Sequence, residues 1–180
     1  VEGDFSIENP SGTGGGALPG GIGWYRKTFV ASENETDRVW RLEFDGVYMN
    51  SEVFVNGVSL GVRPYGYISF GYDISQYLHW GEENVVAVRV DNVEQPNSRW
   101  YSGCGIYRNV WMQKTGRTRV APYGVYVIPK MTYLPDPKTG GMGSLHEGFF
   151  FVQTDVIADD AEELRLRHIA VDGNGKKAGM

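Results

Sequence analysis

Cysteine is almost absent from this chain. Cys104 stands alone among 180 residues, so no intrachain disulfide can form and nothing marks a redox compartment. Long apolar runs are missing as well; none approaches the roughly 20 residues a membrane-crossing helix needs. The opening Val1-Glu2-Gly3-Asp4 is acidic at once and has no leader character. Lacking an initial Met and a hydrophobic opening strand, the chain reads as starting inside a longer protein. Basic runs stop at Lys176-Lys177 and the formal charge is -5, which argues against nucleic acid and against membrane as partners. Histidine is sparse: His79, His146 and His168 stand far apart with no metal-ligand spacing, so no metal site is expected. The glycines at 14–16 precede neither a Lys-Ser/Thr pair nor a helix, which argues against a phosphate cradle. Gly66-Tyr67-Ile68-Ser69-Phe70-Gly71 sets its serine one place off from a nucleophile elbow. No cofactor is expected.

Aromatics and glycine are plentiful instead. Aromatic residues make up 13% of the chain, with 11 Tyr, 5 Trp and 25 Gly, a composition of short strands, tight turns and exposed rings. Hydrophobic content of 41% suffices for a packed core. Residues 1–23 lack periodicity and read as a loop or arm. Strands are expected at Trp24–Val30 and at Val39–Phe44, where Trp40, Leu42 and Phe44 alternate with Arg41 and Glu43. Glu52–Val55 and Val58–Gly61 flank Asn56-Gly57, the strongest short hairpin signal. Arg63–Phe70 reads as an aromatic connection and Asp73–Leu78 as a single helical turn. Val85–Asp91 puts Val86, Val88 and Val90 on one face, and Ile106–Met112 follows. Thr115–Val120 reads as a linker. Beyond it, strands are expected at Tyr123–Pro129, Phe149–Ile157 and Leu164–Val171, with a Gly/Pro loop at Pro135–Ser144. Asp172-Gly173-Asn174-Gly175 is a hairpin turn with no return strand expected. Roughly eight strands in the first part, without helical periodicity, point to a sandwich or jelly roll.

Glycoside chemistry needs two carboxyl groups facing one bond. Glu82-Glu83, Asp159-Asp160 and Glu162-Glu163 are adjacent in turns and read as solvated surface. Asn34-Glu35 lies in a polar turn, and Asn34-Glu35-Thr36 also fits a glycosylation acceptor. No catalytic pair is expected.

One stretch has binding chemistry: Asn97-Ser98-Arg99-Trp100-Tyr101-Ser102-Gly103-Cys104-Gly105. Glycine weakens a strand and marks a bulge or a close backbone approach, so this is a shaped loop at the end of the sheet. A sugar ring stacks its CH groups on an aromatic face while its hydroxyls pair with Asn, Ser and Arg. The other reading, that Trp100 and Tyr101 pack beneath the loop, stays open. Arg108, inside the following strand, reads as a structural Arg paired with an acid.

Trp40-Arg41-Leu42-Glu43-Phe44-Asp45-Gly46-Val47, Val53-Phe54-Val55-Asn56-Gly57, Gly66-Tyr67, Asp73-Ile74-Ser75 and Arg99 through Trp111 follow one another in order. This succession resembles the N-terminal sugar-binding jelly roll of glycoside hydrolase family 2, the family of β-galactosidases, β-glucuronidases and β-mannosidases. Gly20-Gly21-Ile22-Gly23-Trp24-Tyr25-Arg26-Lys27 resembles the β-galactosidase-type members most.

The resemblance implies an all-β chain: a jelly-roll β-sandwich of the galactose-binding-domain kind over 1–117, N-terminally incomplete, then a partial immunoglobulin-like β-sandwich over 118–180. It also implies that the (β/α)8 barrel with both catalytic glutamates lies elsewhere, so this stretch has no catalytic residue and no turnover of its own. Asn97, Ser98, Arg99 and Trp100 become substrate-side contacts. The expected partner is a β-linked sugar shared with that barrel. Unpaired strand edges also favour self-association, hence a homo-oligomer. A free-standing carbohydrate-binding module and a structural or adhesion domain are the alternatives.

Overall fold

The computed structural model describes residues 6–9, 12–13, 17, 20–94, 103–159 and 163–179. The chain divides into two compact units, Val1–Gly116 and Arg117–Met180.

In the first unit alternating strands find two faces to cover. Strands β1 (Gly21–Val30), β2 (Val39–Phe44), β3 (Val47–Tyr48), β4 (Ser51–Val55), β5 (Val58–Arg63), β6 (Phe70–Asp73), β7 (Glu83–Asn92), β8 (Gly105–Ile106) and β9 (Val110–Thr115) follow in order. One antiparallel sheet runs β1-β7-β4-β5, a second runs β6-β2-β9, and β3 pairs with β8. Trp40, Leu42 and Phe44 of the second sheet share one core with Val53, Val55, Val86, Val88 and Val90 of the first. The all-β sandwich expectation holds, because period-two apolar spacing on both sheets leaves each strand one inner face.

Two polar devices fix this core. Glu43 lies between two core positions of β2 and is only 6% exposed; Arg41 Nε donates to its Oε2 at 2.8 Å. Asn84 is fully buried at the start of β7. Its Oδ1 accepts from Asn56 Nδ2 and from the His79 amide, and its Nδ2 donates to the His79 and Glu82 carbonyls, all within 2.7–3.0 Å. Asn56 and Gly57 take φ of 48° and 83°, the left-handed pair that a tight hairpin turn requires.

Local boundaries depart from the sequence reading. β1 begins at Gly21, three residues before Trp24. The stretch read as an aromatic connection ends in β6, which borders β2. Asp73–Leu78 contains a 3₁₀ turn, Ser75–Tyr77, and Ser75 Oγ accepts from the Trp40 amide at 2.9 Å. Ile106–Met112 is two strands, β8 and β9, because Tyr107, Arg108 and Asn109 turn between partners β3 and β2.

The second unit is a long antiparallel ribbon, β10 (Arg119–Pro135) against β11 (Met142–Ile157), with a short hairpin of β12 (Ala170–Val171) and β13 (Lys177–Gly179). The ribbon strands run longer than expected, so the linker shrinks to 116–118 and the Gly/Pro loop to 136–141. The expected lack of a return strand after Gly175 is corrected: Lys177–Gly179 comes back onto Ala170–Val171. Leu164–Ile169 is not strand, since its alternation meets no pairing edge among the described residues. At the ribbon tip Asp136 accepts from the Lys138 amide and the Thr139 hydroxyl at 2.8 and 2.9 Å. These bonds favour the carboxylate and hold its pKa below the ordinary aspartate value.

Candidate functional site

Asn97, Ser98, Arg99 and Trp100, with neighbouring Tyr101, lie outside the described residues. The structure describes the frame from which they depart and to which they return. β7 ends at Asn92, and β8 resumes at Gly105 beside β3.

On the departing side, Arg89 Nη2 meets Asp91 Oδ2 at 2.7 Å, and Asp91 Oδ1 accepts from the Val93 amide at 3.2 Å. The Asp91 amide donates to the Met49 carbonyl at 3.1 Å, and Asn50 Nδ2 donates to the Asp91 carbonyl at 3.3 Å. Asn50 takes φ of 47°, which lets the β3–β4 corner grip β7 from the side. Asn92 Nδ2 donates to Cys104 Sγ, tying both ends of the loop together.

On the returning side, Gly105 takes φ of 87°, and a Cβ there would stand 2.1 Å from the Tyr25 hydroxyl oxygen. The same hydroxyl accepts from the Ile106 amide at 3.3 Å. Gly105 therefore answers both reasons for a glycine, backbone conformation and close approach. Tyr107 follows, its hydroxyl donating to the Gly66 carbonyl at 2.8 Å. Gly66 sits against the Tyr48 ring, and Tyr48, Tyr67 and Tyr65 form a chain of rings with centroids 5.2 and 5.8 Å apart. Trp111 Nε1 donates to Asp45 Oδ2 at 3.0 Å. The loop thus springs from a braced corner walled by exposed aromatic rings, Tyr65, Tyr67 and Tyr107.

At this corner the described residues present exposed rings and carboxylates that are already paired. Asp91 and Asp45 each have a fixed partner, in Arg89 and Trp111. Glu35, of the Asn34-Glu35 pair, lies in a 3₁₀ turn and meets Lys114 at 2.8 Å on the surface. Asp159 meets Arg117 at 3.1 Å. Among the described residues no group of three or more His, Cys, Asp or Glu is placed to hold a metal ion. Arg108, expected to pair with an acid, stands instead over the Tyr107 ring, 5.9 Å from its centroid. The residues that reading the chain missed are Tyr25, Tyr48, Tyr107 and Asp91. Only the two glycines, 66 and 105, signalled that something bulky lies against them.

Comparison with known proteins bears on this corner. The family model described as "Glycosyl hydrolases family 2, sugar binding domain" matches residues 17–116. A protein of Bacteroides ovatus named beta-galactosidase BoGH2A is 73% identical over 127 residues, covering 71% of this chain and 15% of that protein. A protein of Formosa agariphila named beta-glucuronidase is 36% identical over 104 residues, covering 51% of this chain and 11% of that protein. The crystal structure of a beta-glycosidase from Bacteroides vulgatus superposes with a TM-score of 0.67 at 34% identity, covering 84% of this chain and 23% of that one. The chain therefore spans 11–15% of the length of these two curated relatives.

Proposed function

This chain belongs to glycoside hydrolase family 2, whose sugar-binding domain it carries, and from that premise we propose that it is the non-catalytic, sugar-facing part of a retaining exo-β-glycosidase of the β-galactosidase kind. The observation behind the galactoside assignment is the 73% identity to a protein named beta-galactosidase over 127 residues. In this reading two glutamates of a separate barrel act as nucleophile and acid/base across one glycosidic bond. The 180 residues supply scaffold, an interface and a few pocket contacts. Asn97, Ser98 and Arg99 donate to sugar hydroxyls, and Trp100 stacks on the ring. The braced corner supports this role, since a loop holds a binding geometry only when its roots are fixed.

The pure chain is expected to leave nitrophenyl β-galactoside uncleaved and to bind galactose no tighter than about 1 mM, near -4 kcal/mol. Turnover by the chain alone would overturn the non-catalytic assignment. Tighter binding would favour a free-standing module. A β-glucuronide is the second reading, favoured by the 36% identical relative named beta-glucuronidase. Arg99 would then pair with the uronate carboxylate. Relative kcat/KM of the longer protein on galactoside and glucuronide separates the two.

A further inference from the structure

Asparagine precedes glycine twice in this chain, at Asn56-Gly57 and at Asn174-Gly175. Such a pair is reactive, because glycine has no Cβ and leaves its amide nitrogen open to the asparagine side chain. That nitrogen attacks the carboxamide carbon Cγ. The N–Cγ bond forms, the Cγ–Nδ2 bond breaks, and ammonia leaves with the proton of the glycine amide, relayed through water. A cyclic succinimide remains. Water then opens either of its carbonyls, giving aspartate or isoaspartate with no oxidant or reductant consumed. Closure needs a carboxamide free to swing and a glycine nitrogen free to meet it, so the surrounding fold sets the rate.

The two pairs have opposite surroundings. Asn56 is half-buried and its carboxamide is engaged at both ends. Its Nδ2 donates to the Tyr77 carbonyl at 2.8 Å and to Asn84 Oδ1 at 2.7 Å, and its Oδ1 accepts from the Val85 amide at 2.8 Å. Cγ reaches the Gly57 nitrogen only if these three bonds break. Asn174 stands exposed in the turn between β12 and β13, and its carboxamide has no hydrogen bond among the described residues. Asp172 holds that turn instead: its Oδ1 accepts from the Asn174 and Lys176 amides, each at 2.9 Å, and its carbonyl accepts from the Gly175 amide at 2.9 Å. The last bond alone occupies the attacking nitrogen. A hairpin with two paired positions is marginal in water, and its local opening releases the Gly175 amide.

We propose that Asn174 is a self-modification site, converted with water as co-substrate to isoaspartate and aspartate, while the fold keeps the same dipeptide at Asn56 inert. The product acts on the turn itself. Isoaspartate adds a methylene to the main chain and sets a carboxylate beside Asp172. The lengthened backbone no longer brings both amides to Asp172 Oδ1, the like charges repel, and β13 separates from β12.

The test incubates the 180-residue chain in mildly alkaline buffer and follows the tryptic peptides 168–176 and 42–89 by mass spectrometry, fragment ions locating each amide-to-acid conversion. In the folded chain Asn174 is expected to convert about a hundredfold faster than Asn56, roughly fivefold for each hydrogen bond that Asn56 must break. In urea the two rates should come within a few-fold of each other, because both are then plain Asn-Gly pairs. Asn174→Gln should stop conversion at that position, since its longer side chain closes a ring far more slowly, and should keep the cross-strand amide contacts of β12 and β13 in NMR spectra. The isoaspartyl chain should lose those contacts while the β2 and β4 resonances stay unchanged. The proposal is overturned if Asn56 and Asn174 convert at equal rates in the folded chain, or if Asn174 stays intact while the urea-unfolded chain converts. A hundredfold difference that persists in urea would equally overturn it, since the fold would then not be its cause, as would β12–β13 contacts that survive in the isoaspartyl chain.

Discussion

Replacing Gly105 with alanine tests whether the loop root is held as described, and the structure gives the cost in two parts. The first part is conformational: at φ of 87° an L residue is strained, by about 1–2 kcal/mol. The second is a collision. The new Cβ would lie 2.1 Å from the Tyr25 hydroxyl oxygen, so the ring must move and its bond to the Ile106 amide is lost. A hydrogen bond of this kind contributes about 1 kcal/mol. Gly105→Ala should therefore destabilise the chain by about 2–3 kcal/mol. Tyr25→Phe removes the colliding atom and leaves the ring carbon Cζ at 3.2 Å, a distance a small adjustment accommodates. In that background only the conformational part remains, and Gly105→Ala should cost about 1–2 kcal/mol. Urea unfolding of the four proteins in this cycle measures the difference. Strictly additive costs would refute the claim that Tyr25 is what Gly105 accommodates.

Three further predictions follow from the packing. Asn84→Ala removes four hydrogen bonds in a buried site, and at about 1 kcal/mol each, part being recovered by water, urea unfolding should report a loss of about 3–4 kcal/mol. Because the folded-state pKa of Asp136 is lowered, its contribution is complete above the ordinary value of 3.8 and is lost as pH falls through the lower folded value. Carboxyl NMR should place its titration below that of exposed aspartates, and Asp136→Asn should abolish the acid-dependent change in the Lys138 amide. The ribbon leaves Phe150 and Phe151 about 60% exposed, and an isolated two-stranded ribbon is marginal in water. The chain should self-associate at high concentration, and Phe150→Lys with Phe151→Lys should reduce the light-scattering mass toward monomer.

How far the sequence was legible follows from the range of each interaction. Trp40, Leu42 and Phe44, like Val86, Val88 and Val90, announce their strands because a half-buried strand repeats every second residue. Asn56-Gly57 announces its turn because the turn chemistry lies in two adjacent residues. β6 was hidden because Phe70-Gly71-Tyr72-Asp73 is short and carries a glycine. That glycine is needed because a Cβ at Gly71 would lie 2.2 Å from the Glu43 carboxylate, a contact set by pairing with β2. Leu164–Val171 alternated convincingly and stayed mostly outside strand, since alternation states a preference that only a partner edge can realise. The corner that braces the loop was the least legible. Tyr25 meets Gly105 across 80 positions of sequence, and Tyr107 meets Gly66 across 41. Only the glycines hinted at these contacts. The loop residues themselves, Asn97 to Trp100, rest on their chemistry and on the resemblance.

The most direct test is the effect of Trp100→Ala on kcat/KM for nitrophenyl β-galactoside, measured in a protein that joins this chain to the barrel of the proposed function. Loss of ring stacking is worth about 1–1.5 kcal/mol, so kcat/KM should fall roughly tenfold with the unfolding midpoint unchanged. An unchanged kcat/KM, or a fall matched by a collapse of stability, would contradict the account.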